Sequence, residues 1–119
     1  MQSDPWLRLA DLERTFAGRH ALIRKLLKVF VDTYDSFPAD LMRLVDTGDT
    51  KALLVQLHSL KGASASLGAE LLRARVAALE SALKSGSASA LETADAVVSF
   101  WPEVMQNART ILETLGPAP

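Results

Sequence analysis

Apolar residues recur at intervals of three and four along almost the whole chain, in segments separated by glycine, proline and short polar turns. That spacing gives each helix one apolar stripe and predicts helices that bury their stripes against one another. The first segment carries Trp6, Leu9, Leu12 and Phe16; Asp4-Pro5 reads as an N-cap followed by proline at the first helical position, and Gly18 closes it. A long second segment, from about residue 19 to 45, runs through Ile23, Leu27, Phe30, Tyr34, Phe37, Leu41 and Leu44. Pro38 interrupts this stripe, so a kink is expected between Tyr34 and Pro38, where the Tyr34 carbonyl loses its amide partner.

Asp46-Thr47-Gly48-Asp49 reads as a turn, and Asp49 or Thr50 as the cap of a third long helix with the stripe Leu53, Leu57, Leu60, Ser64 and Leu67, ending at Gly68. A fourth, from about residue 69 to 85, presents Leu72, Val76, Leu79 and Leu83 before Ser85-Gly86-Ser87 closes it. The last carries Leu91, Ala94, Val98, Trp101, Met105, Ala108, Leu112 and Leu115, with Pro102 expected to kink it or to start a second piece. No alternating apolar run bounded by turns predicts a strand. The expected fold is all-α: an antiparallel four-helix bundle with a short additional N-terminal helix, one domain over residues 1–119 with frayed ends at about 1–4 and 116–119.

One run looks chemical: His58-Ser59-Leu60-Lys61-Gly62-Ala63-Ser64-Ala65-Ser66-Leu67-Gly68. On a helix, residues three and four places on share a face, so Lys61 and Gly62 lie beside the imidazole, one turn along. His58 falls off the apolar stripe, flanked by Lys51, Leu54, Val55 and Ala65, and is expected to be exposed on a surface suited to docking another protein. Near neutral pH a histidine is largely unprotonated and offers a nucleophilic lone pair, while a lysine beside it can pair with a phosphoryl group. Gly62 costs a helix about 1 kcal/mol relative to alanine, so the missing side chain is expected to serve as clearance for a partner. By this reading Lys61 is an exposed cation that serves chemistry more than stability, so Lys61→Ala is expected to keep its fold.

The run resembles the phosphorylation motif of histidine-containing phosphotransfer (HPt) domains, His-x-x-Lys-Gly on an exposed bundle helix. The likeness extends to Leu67-Gly68-Ala69 and Leu79-Glu80 downstream, and to Phe30 and Gly48-Asp49 upstream. It implies that His58 takes a phosphoryl group from an aspartyl phosphate of one response-regulator receiver domain and passes it to the aspartate of another. Lys61 would then serve phosphate electrostatics, Gly62 clearance, and Lys51, Leu54, Val55 and Ala65 partner binding. The resemblance also implies a phosphocarrier and not an enzyme, with no cofactor or metal of its own, the magnesium ion coming with the receiver. The partners implied are receivers and possibly a hybrid sensor histidine kinase. Two alternatives stay open: a bundle that binds and sequesters a receiver without accepting phosphate, and the phosphoacceptor domain of a chemotaxis-type kinase.

Composition narrows the remaining choices. A chain of 119 residues with a net charge of −1 and no basic stripe is not expected to bind nucleic acid. No apolar run is long enough for a membrane helix and no leader precedes the first helix, so a cytoplasmic location is expected, and a monomer is the expected state. The lack of cysteine excludes disulfides and thiolate chemistry. His20 lacks a comparable constellation, and its spacing from His58 does not suit a zinc site; Ser64 and Ser66 read as small residues whose hydroxyls bond back along the helix.

Overall fold

Six helices follow one another in the structure, a computed structural model that describes residues 6–86, 88 and 90–116: α1 (Leu9–Thr15), α2 (His20–Tyr34), α3 (Phe37–Thr47), α4 (Thr50–Ser66), α5 (Glu70–Lys84) and α6 (Ala90–Leu115). The expected Asp4-Pro5 cap, Ser87 and the tail beyond Gly116 lie outside the described residues. No strand occurs among the described residues. α2 and α3 follow end to end and both pack on α6; α4 packs on α3 and α5, and α5 on α6, while α1 lies against α2. Four rods with one short extra helix result, as the apolar stripes require.

At Pro38 the long second helix does not merely kink but divides. α2 ends at Tyr34 and α3 restarts at Phe37 with the proline in its first turn, where its missing N–H is not needed. The Tyr34 carbonyl, deprived of an amide from residue 38, accepts instead from Trp101 Nε1 at 2.9 Å in the core. The break is thus repaired from another helix, since a buried carbonyl without a partner costs about 1–3 kcal/mol. Pro102 behaves differently. α6 runs through it without splitting, because the proline faces solvent while Val97, Trp101, Val104, Met105 and Ala108 anchor both sides of it in the core.

Two further expectations are corrected. The first helix starts at Leu9, since the preceding residues are held out of a helix: Arg8 is extended with φ −126°, the Leu7 amide donates to Asn107 Oδ1 at 2.5 Å, and Trp6 stacks on Phe100 with centroids 4.2 Å apart. On α6 the buried residues are Ala94, Val97, Trp101, Val104, Met105, Ala108 and Ile111, so the expected Ala94, Trp101, Met105 and Ala108 lie in the core, whereas Leu91 is exposed and Val98, Leu112 and Leu115 are half-buried. On α4 the expected stripe of Leu53, Leu57, Leu60, Ser64 and Leu67 is buried throughout. The Asp49 carboxylate caps that helix by accepting from the Ala52 amide at 3.1 Å.

Candidate functional site

Because α4 turns its leucines inward, His58 is carried to the outer side of the bundle, where its side chain is 76% exposed. Ser64, on the inner side, donates to the Leu60 carbonyl at 2.8 Å and so places no free hydroxyl at the surface. Ser59, next to His58, shares a 3.0 Å hydrogen bond with the buried Tyr34 hydroxyl, which ties this turn of α4 to the end of α2. Gly62, one turn beyond the imidazole, is exposed, and a Cβ built there meets no atom within 4 Å. No neighbouring helix of the bundle requires that glycine.

Beneath His58 lies a residue that spacing along α4 could not reveal. Glu80 projects from α5, and its side chain is only 7% exposed. One carboxylate oxygen accepts from Lys61 Nζ at 2.5 Å; the other stands 3.7 Å from His58 Nδ1. Lys84 Nζ approaches the first oxygen at 3.9 Å. The hydrogen bond from Lys61 holds the Glu80 carboxyl below the usual carboxylate range against the opposing effect of burial, with further help from the charges of Lys61, Lys84 and His58. A fixed negative charge therefore underlies the exposed imidazole.

The candidate residues fall into two groups around this centre. Lys51, Leu54 and Val55 line a shallow depression together with His58, Glu80 and Lys84. Val55 is among the few large apolar side chains left exposed. Ala65 is exposed on the far side of Gly62, two turns beyond His58. Lys61, read from the sequence as a cation standing ready for phosphate, has a buried counter-ion instead. His20 is remote from this chemistry and pairs with Glu13 at 2.7 Å on the surface. Among the described residues no group of three His, Asp or Glu side chains could hold a metal ion, and no helix is long and apolar enough to cross a membrane.

The family model of the Hpt domain matches residues 25–115, which span α2 from its first turns, α3, α4 with His58, α5 and α6. The chain belongs to the Hpt domain family. As an Hpt domain it is a histidine phosphotransfer module of phosphorelays, a phosphocarrier family whose members interact with receiver domains. Comparison with curated proteins and with solved structures gave no match.

The Lys61–Glu80 pair changes one expectation about stability. Lys61 is 29% exposed, not free in solvent, so Lys61→Ala strips a buried carboxylate of its hydrogen bond. We expect a loss of about 1–3 kcal/mol, toward the lower end because Lys84 and His58 remain nearby. Since the folded-state pKa of Glu80 is lowered, this contribution is complete above its unfolded value, near 4.5, and is lost as pH falls through the folded value. Denaturation of both proteins from neutral to acid pH checks this: the gap should be full near neutrality and close as pH falls through the lowered folded-state value of Glu80. A gap that is unchanged at acid pH would show that the carboxylate is not its source.

Proposed function

We propose that His58 is the phosphoryl-accepting residue of this module and that the group is carried on Nε2. The supporting observation is the orientation of the ring: Nδ1 faces the Glu80 carboxylate at 3.7 Å, and the imidazole is otherwise open to solvent. A dianionic phosphoryl group on Nδ1 would face that carboxylate directly, whereas Nε2 lies on the other side of the ring. Glu80 also favours the tautomer with its proton on Nδ1, which leaves the lone pair on Nε2.

Transfer then balances simply. The Nε2 lone pair attacks phosphorus of a receiver's aspartyl phosphate as the bond from phosphorus to the aspartyl oxygen breaks, and that electron pair leaves with the aspartate. The ring, still protonated on Nδ1, becomes a phosphorylated imidazolium above Glu80, which stabilises its positive charge. The same charge makes the ring a good leaving group when the next receiver's aspartate attacks. Gly62 gives the receiver clearance, Lys51, Leu54, Val55 and Ala65 form the surface it meets, and the magnesium ion comes with the receiver. Lys61 acts through Glu80, holding its carboxylate under the ring. The module works in this reading as a cytoplasmic monomer without ATP chemistry of its own.

The test is incubation with several phosphorylated receivers and, separately, with kinase catalytic domains and ATP. Acid-labile, base-stable label acquired from receivers supports the relay. Receiver binding without transfer would make the module a sequestering partner, and label acquired only from a kinase would make it a kinase phosphoacceptor.

A further inference from the structure

We propose that Lys84 on α5 is the cation that pairs with the phosphoryl group once it is on His58; the inference rests on His58 being the acceptor. Lys61, the nearer candidate along α4, is already committed. Its Nζ donates to Glu80 Oε1 at 2.5 Å, with 29% of the lysine side chain and 7% of the glutamate exposed. Moving it to a phosphate would leave a buried carboxylate without its principal hydrogen bond, so the exchange works against itself.

Lys84 carries no such obligation. It stands 3.9 Å from the same oxygen, beyond hydrogen-bond distance, and its side chain is 62% exposed. It belongs to the last turn of α5 and lines the same depression as His58, Lys51 and Glu80. Its flexible stem can change partners without disturbing the bundle, since Glu80 keeps Lys61 when Lys84 leaves. Before transfer Lys84 leans toward Glu80. After transfer a dianion beside it is the stronger attraction, and Lys51 adds positive potential from the other end of the depression.

Lys84→Ala should therefore lower the phosphorylated fraction at equilibrium with a receiver about two- to fivefold, the range of an exposed ion pair. The difference should shrink in high salt, and Lys84→Arg should restore most of it. In 31P spectra the second ionisation of the phosphoryl group should move to higher pH in Lys84→Ala, a readout that a packing role would not shift. Phosphoramidate serves as a chemical donor for the same spectra. An unchanged equilibrium and an unchanged 31P titration in a fully labelled Lys84→Ala would overturn the assignment while leaving His58 in place. Wild-type protein that takes no label from receivers or from phosphoramidate would remove the His58 reading and this one together.

Discussion

Replacing His58 by glutamine should reduce phosphoryl acceptance from any receiver to background while leaving the melting temperature almost where it was. The two expectations have separate causes. With 76% of its side chain exposed, His58 contributes little to packing, and its ion-pair contact to Glu80 at 3.7 Å is not needed by a carboxylate already bonded to Lys61. Substitutions at such surface positions stay within about 0.5 kcal/mol. Glutamine nevertheless lacks a nucleophilic lone pair, since its amide nitrogen is delocalised into the carbonyl. Label that survives in His58→Gln, or acid-stable label on Ser59 or Ser66, would assign the chemistry elsewhere.

The sequence makes the outer face of α4 readable because one helix carries both signals. Leu53, Leu57, Leu60 and Leu67 fix which way α4 faces, and His58, Lys61 and Gly62 then follow by helical geometry. Glu80 is a different case. It follows Leu79 on α5, four residues after Val76 and three before Leu83, so it belongs to the edge of a buried stripe. Read alone, an acidic residue there is an ordinary solvated side chain. Its meaning depends on the antiparallel pairing of α4 with α5, which brings position 80 opposite Lys61 and His58, a register that no local pattern contains. The resemblance drew attention to Leu79-Glu80 without giving the glutamate a role.

The two prolines divide along similar lines. Both interrupt an apolar stripe, and local rules give them the same effect. What separates them is tertiary: Trp101 Nε1 reaches the Tyr34 carbonyl freed by Pro38, so the break there leaves that core carbonyl paired, while Pro102 lies on the solvent side of a helix whose core face is continuous. The repair at Tyr34 also matters near the site. The same tyrosine bonds Ser59 beside His58, so a core hydrogen bond from α6 and the placement of the turn that carries His58 meet in one residue.

At Gly62, stability and transfer should move in opposite directions. Glutamine there should raise stability by about 0.5–1 kcal/mol, because it is a better helix former than glycine, and a side chain starting from an open Cβ position displaces nothing. For a domain of this size that is a rise of a few degrees in melting temperature. Transfer should fall by about a hundredfold, the cost of holding reacting groups roughly 1 Å from their productive distance. The direction of the bond supplies the reason: every Cα–Cβ bond on a helix tilts toward the N-terminus, so a side chain at position 62 leans over the turn that carries His58, four residues earlier. A receiver bringing phosphorus to Nε2 would meet that side chain first. Gly62→Ala, with one methyl group, should gain similar stability and lose less transfer. Equal transfer by glycine and glutamine proteins would mean that the partner approaches from the Val55 side and never crosses Gly62; a lower melting temperature would mean that α4 does not turn this face to solvent.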